Sequence, residues 1–188
     1  MAYVVIYDAC VLHDPALRDL LIRVTNKRSL NLKARWSELI LDEMTESILR
    51  RRPDLDATRL ERTRELMCKT VPDCIVTGFE HLINYISLPD GNDRHVVAAA
   101  IHANAQTIVT FNLDDFPEKE LDSYGIEAQH PDDFLVGLIN LSPASVVTAF
   151  IEQVADLRQP IQTRQAILDR LHQIGLIRTA NNISSLIY

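Results

Sequence analysis

Acidic residues stand where an α/β protein keeps its chemistry. Tyr3–Tyr7 (YVVIY) is a short run of β-branched and aromatic residues, as in a buried strand, and Asp8 follows it directly. Asp114 and Asp115 come soon after a second such run, Thr107–Thr110. Asp90 and Asp93 lie where a loop, Leu88–Asp93, enters a helix. In open α/β sheets ligands bind beyond the carboxyl ends of the strands. Each acid alone has an ordinary reading: Asp93 as a helix N-cap, Asp114 and Asp115 as turn residues. Asp8 is harder to dismiss, because a carboxylate at the end of a buried strand needs a partner. Glu43 joins these by helix geometry. The segment 37–51 carries Ile40, Leu41, Met44 and Ile48 at helical spacing. At about 100° per residue its apolar stripe centres between Ile40 and Met44, and Glu43 lies nearer that stripe than Asp42 or Glu46. A solvated helix face accounts for the same spacing.

Carboxylates that converge repel one another, so one protonates unless a cation neutralises them. Oxygen ligands suit Mg²⁺ or Mn²⁺. One or two such ions at a carboxylate cluster can hydrolyse a phosphodiester by activating water and stabilising the leaving oxygen. Other chemistries find less support. Cys10, Cys68 and Cys74 have no C-x-x-C spacing, and the six histidines form no H-x-x-x-H. No phosphate-binding G-x-x-x-x-G-K-[ST] or G-x-G-x-x-G is present. His95, beside the acidic loop, reads as a helix-surface residue.

The elements that must hold these acids alternate. Helices are expected from Asp14-Pro15 through Val24 and at about 37–51, 56–68, 94–104, 118–124 and 131–138. Further strands are expected at 75–77, 107–110 and 126–128. Strands alternating with helices indicate an α/β fold with a mainly parallel sheet and helices on both faces. Beyond Leu141-Ser142-Pro143 the pattern turns wholly helical, with Ser142 and Thr163 as caps and Pro143 at a first helical position. The expected organisation is therefore one α/β domain, residues 1–141, and a helical hairpin, residues 142–188. At 188 residues the chain can bury a sizeable core without staples. Its 47% hydrophobic and 24% charged content is that of a globular protein. No basic n-region with a cleavage site opens the chain, and no apolar run reaches the ~18–20 residues of a membrane span. A reducing cytoplasm is the expected compartment. Residues 71–140 hold 12 Asp+Glu against 2 Lys+Arg, which excludes a uniformly basic nucleic-acid binder.

In their order and spacing these segments resemble the PIN-domain ribonucleases, in particular VapC-like toxins of type II toxin–antitoxin pairs. VVIYDACVL (Val4–Leu12) is similar to the family's first strand with its metal-binding Asp, here Asp8. WSELILDEMTESIL (Trp36–Leu49) resembles the helix with an inward Glu, here Glu43. LPDGNDRHVVAAAIHANAQTIVTFNLDDFP (Leu88–Pro117) is the most specific match. It makes Asp93 the third acid and Asp115 the fourth, with Asp90 and Asp114 as the alternatives within each pair. The resemblance covers roughly residues 3–138. It implies a three-layer α/β/α sandwich and a Mg²⁺- or Mn²⁺-dependent endoribonuclease leaving 5′-phosphate and 3′-hydroxyl ends. It also implies a cognate antitoxin, and often a homodimer. The 142–188 extension lies outside the motif.

Two further readings compete. A haloacid-dehalogenase-type phosphatase also places Asp after its first strand, but the second Asp it needs two residues later is Cys10 here, and residues 71–140 hold one lysine, Lys119. A non-catalytic PIN-like module binding RNA or protein is opposed by the joint presence of Asp8, Glu43, Asp93 and Asp115. Arg50, Arg51, Arg52, Arg59, Arg62 and Arg64 offer either a phosphate-holding rim or a salt-bridged helix pair.

Overall fold

The apolar run Tyr3–Tyr7 forms β1, at the interior of a four-stranded sheet. The computed structural model describes residues 2–157 and 162–187; Met1, residues 158–161 and Tyr188 lie outside it, and with them the outer bounds of both expected units. After β1 come α1 (Ala9–Leu12), α2 (Pro15–Thr25), β2 (Leu32–Arg35), α3 (Glu38–Arg51) and α4 (Ala57–Thr70). Then follow α5 (Arg94–His102), β3 (Thr107–Val109), α6 (Glu118–Leu121), β4 (Glu127–Gln129) and α7 (Pro131–Leu141). The chain continues through α8 (Pro143–Asp156), α9 (Arg164–Gln173) and α10 (Ile177–Ile187).

The strand order is β2-β1-β3-β4 and every pairing is parallel. Parallel strands need crossovers, and helices supply them. Both faces of such a sheet are covered, giving the α/β sandwich expected from the alternation of elements. Tyr7 shows one face. Its ring stacks on Trp36 at 6.4 Å and meets Phe134 edge-on at 6.2 Å. Its hydroxyl pairs with Thr25 Oγ1 at 2.9 Å, on α2. Strand alternation turns Ile6 the other way. Helix α5 packs against β1 and β3, and its Val96–Ala100 run is wholly buried.

Local chemistry explains the helix starts. Asp14 accepts from the Ala16 and Leu17 amides with Pro15 next to it. Ser37 accepts from Ile40 N at 3.2 Å to open α3. Two expectations are corrected. Residues 75–77 do not form a strand; Ile75 makes one isolated parallel bridge to Trp36. The fourth strand is instead Leu32–Arg35 (LKAR), whose lysine and arginine disguise a short edge strand with Leu32 and Ala34 buried.

The extension is also more than a hairpin, with three described helices. Gly175, at φ +93°, ends α9 in the left-handed conformation that glycine adopts freely. The chain then re-enters a helix whose Ala180 and Ile183 are buried. Phe150, Leu168, Leu171, Leu176 and Ile183 belong to the same contiguous core as Val5 and Ile6. Among the described residues no single helix is long and apolar enough to cross a membrane.

Polar contacts fix the extension's register. Gln153, fully buried on α8, donates to Ala16 O at 2.8 Å. Asp132, buried on α7, accepts from the first amides of α10: Arg178 N at 3.1 Å and Thr179 N at 2.8 Å. Those amides have no partner inside their own helix. Asp132→Ala should therefore cost about 1–2 kcal/mol. Urea unfolding would show this as a lower midpoint; an unchanged midpoint would mean that water replaces the cap.

Candidate metal centre

The sheet brings the acids to one end. Asp8 leaves β1 and caps α1, its Oδ1 accepting from Ala9 N at 2.6 Å. Because Tyr7 pairs with Val109 in register, Asp8 stands level with Thr110 at the end of β3. Thr110 Oγ1 accepts from Asn112 N at 3.0 Å, so its proton is free to go to Asp8 Oδ2 at 2.7 Å. The Cys10 thiol donates to the same oxygen at 3.1 Å while accepting from Phe111 N at 3.2 Å. Asp8 is only 4% exposed. Burial pushes its carboxyl above the usual range, with the three hydrogen bonds opposing and the Glu43 charge adding to the rise. Burial likewise raises the Cys10 thiol, helped by the Asp8 charge.

Asp93 sits where α5 begins but makes no side-chain cap, so the N-cap reading fails. Its carboxyl is pushed up to about 7, first by burial and then by the charges of Asp8, Asp115, Asp90 and Glu43. Four other carboxylates thus lie within electrostatic reach of Asp93. Asp115 is half-buried in the turn after β3, whereas Asp114 is exposed and not among the charges acting on Asp93. Asp90 is exposed and commits Oδ1 to Asn92 N at 2.8 Å. Glu43 does reach inward from α3: its Oε1 pairs with His95 Nε2 at 2.9 Å.

His95 is the main correction at the site. It is 7% exposed rather than on the helix surface, because α5 is apolar nearly all round and is therefore buried nearly all round. Thr110 and Cys10 were not among the expected site residues. Among the basic residues, Arg64 is held by Glu38 and Asp42 at 2.6 and 2.7 Å, and Arg52 by Asp54 at 2.7 Å. For these two the salt-bridged reading holds. Arg51 and Arg18 act on His13: after burial, their charges are the main influence lowering it to about 4, and Glu43 opposes them. A groove of about 1030 Å³ between α2, α4, α8 and α9 is lined by none of the six candidate acids.

The donor set fits a hard divalent cation in kind: carboxylate oxygens, partly buried, repelling one another. Among the described residues no three His, Cys, Asp or Glu side chains stand in metal-ligating geometry. Mg²⁺ does not require that many, since it keeps several waters and takes one or two carboxylates directly.

Two family models match parts of the chain. Residues 4–114 match the family model described as PIN domain, and residues 131–185 the one described as VapC50 C-terminal domain. A protein of Mycobacterium tuberculosis (strain ATCC 25618 / H37Rv), named "Putative ribonuclease VapC50", is 35% identical over 105 residues. That match covers 54% of this chain and 62% of the relative, so the chain spans less than two thirds of the relative's length. No solved structure matches the chain significantly.

The raised Asp93 carboxyl makes a pH prediction for chelator-treated protein. Between the ordinary value, 3.8, and about 7, the folded chain keeps a proton that the unfolded chain has released. Stability therefore falls as pH rises through that window and levels off above it. Asp93→Asn should flatten part of this decline, with Asp8, raised in the same direction, retaining the remainder. Urea midpoints against pH would run parallel for the two proteins if Asp93 were not strained by its neighbours.

Proposed function

This chain belongs to the PIN-domain family, and we propose that it is a Mg²⁺- or Mn²⁺-dependent endoribonuclease, the toxin of a toxin–antitoxin pair. The observation that carries the reading is the burial of Asp8 at the carboxyl end of the sheet, with the charges of Asp8, Asp115, Asp90 and Glu43 all acting on Asp93. Acids gathered in this way either take up a proton or are offset by a cation. The name of the mycobacterial relative supports RNA as substrate. The match of residues 131–185 to the VapC50 C-terminal model supports the same lineage for the extension. We assign residues 1–141 to the nuclease domain and 142–188 to the extension. A cognate antitoxin, a homodimer and a cytoplasmic location complete the reading; three free cysteines suit a reducing compartment.

Asp8, Glu43, Asp93 and Asp115 are the residues we expect to hold the ion. Asp90 and Asp114 are the weaker members of their pairs, the first because an oxygen is committed to Asn92 N, the second because it is exposed and not among the charges acting on Asp93. When bound, the ion supplies water activation and charge stabilisation at the phosphate. The protein's own part is positional. Thr110, Cys10 and the Ala9 amide fix the Asp8 carboxylate, and His95 fixes Glu43. Asp93 holds a proton near neutrality and gives it up when a cation arrives.

Asp8→Asn should abolish cleavage of single-stranded RNA and Mn²⁺ binding while leaving the fold intact by circular dichroism. Chelation of the wild type should abolish cleavage and added Mn²⁺ restore it. Asp115→Asn should lower the rate by at least ~100-fold, a loss of the size expected for a metal ligand, and Asp114→Asn by far less. Full activity in Asp8→Asn, or in the presence of chelator, would overturn the assignment. The reverse order for Asp114 and Asp115 would exchange their roles.

A further inference from the structure

The two most firmly held acids are each left with limited freedom to bind a cation. A carboxylate offers about four lone-pair positions, two on each oxygen. Asp8 Oδ2 accepts two hydrogen bonds, from Thr110 Oγ1 and Cys10 Sγ, and Oδ1 accepts one from Ala9 N. One position remains open, on Oδ1. Glu43 is constrained from the other side of the cluster. Its Oε1 takes the hydrogen bond of His95 Nε2 at 2.9 Å, leaving Oε2 without a partner among the described hydrogen bonds. The carboxylate can only accept, so this bond places the imidazole proton on Nε2.

His95 is well placed to enforce that choice. Its side chain is 9% exposed, against 40% for Glu43, so the buried ring is the fixed member of the pair. It stands on α5 two residues after Asp93, and the bond spans 52 residues of sequence to α3. One ring therefore ties the helix bearing Asp93 to the helix bearing Glu43. Its Nδ1 is buried with no partner, so the ring's single polar contact is the one to Glu43. A buried histidine with one nitrogen unsatisfied is a costly way to fill a core, and that cost is offset if the other nitrogen has a task.

We propose that His95 is a positioning residue that makes Glu43 a one-oxygen ligand, and so sets the site's preference for Mg²⁺ or Mn²⁺ over Ca²⁺. This rests on the nuclease reading above. The chemistry is that of carboxylate denticity. Ca²⁺ takes six to eight oxygens and readily accepts both oxygens of one carboxylate, whereas Mg²⁺ demands six at short distance and takes carboxylates singly. A carboxylate with one oxygen already bonded to a rigid donor disfavours the two-oxygen mode. Asp8, with one lone pair open, presents the same restriction, so the two acids select in the same direction.

Calorimetric titration of the full chain tests this without reference to activity. Mn²⁺ is titrated directly and Ca²⁺ by competition against it, into wild type, His95→Phe and His95→Gln. His95→Phe keeps the ring's bulk and removes the donor; His95→Gln retains an N–H that can reach Glu43. The expected result is a Mn²⁺ Kd raised about tenfold or more in His95→Phe, the usual scale for losing a group that orients a ligand. Its Ca²⁺ Kd should stay within about twofold, narrowing the Mn²⁺/Ca²⁺ ratio, and His95→Gln should restore most of that ratio. If His95→Phe does not fold, His95→Asn, too short to hold Glu43, is read in its place with the same expectation. An unchanged ratio in the donorless variant, or equal loss of both ions, would overturn the proposal and leave His95 a packing residue. Wild type that binds neither ion would overturn the metal-dependent reading itself, and this inference with it.

Discussion

A carboxylate at the end of a buried strand has to be supported by whatever surrounds it, and in this protein that carboxylate is Asp8. No cationic side chain is bonded to it among the described residues. Its supports are an amide, a hydroxyl and a thiol, from Ala9, Thr110 and Cys10. None of these carries a charge; they favour the anion without outweighing burial. The Asp8 carboxyl therefore stays raised, and its charge is felt by Asp93 and Cys10. Ala9 and Cys10 are local to it, and the pairing of β1 with β3 is what brings Thr110 to join them. Sheet register, site geometry and the demand for a cation are thus consequences of one another.

Those consequences were legible in the sequence to different depths. Asp8 and the pair Asp114 and Asp115 stand out because an apolar strand followed by acids is a local pattern, and only resemblance prefers Asp115 within its pair. Glu43 could be found because helix phase is local too. Asp93 was found by resemblance, while its ordinary reading as a cap was removed by the structure. Thr110 could not be found, because its role depends on a pairing across about a hundred residues, and a threonine ending a strand looks like any strand residue. Cys10 is local to Asp8, but nothing in its type or spacing marks a thiol as the donor. His95 left a signal that was misread. VVAAAI beside it is apolar on every side, which already places the helix inside. The edge strand Leu32–Arg35 was hidden by its charges, as edge strands often are.

The C-terminal helices show a different limit. Sequence pattern separated them from the sheet domain, and in composition they are separate. In the folded chain they share one core with it, and the contacts that seat them are polar ones buried at the joint: Gln153 on Ala16, and Asp132 on the start of α10. Asp14 adds a third link, capping α2 with one oxygen and pairing with Arg170 of α9 through the other. Buried polar contacts of this kind specify one arrangement where apolar packing alone would tolerate several.

The pairing of Val5 with Thr107 also bears on how the chain is made. During synthesis β1 emerges before its neighbour on the acid side, which follows only after some hundred residues. Contacts so distant in sequence form slowly, because a long loop must close before they are rewarded. Asp8 emerges without the hydroxyl that steadies it, and Glu43 without its histidine. The acid cluster cannot assemble until Asp115 has been made. A nascent chain therefore carries the first of these acids, unsteadied, for most of the synthesis of the sheet before it carries a site.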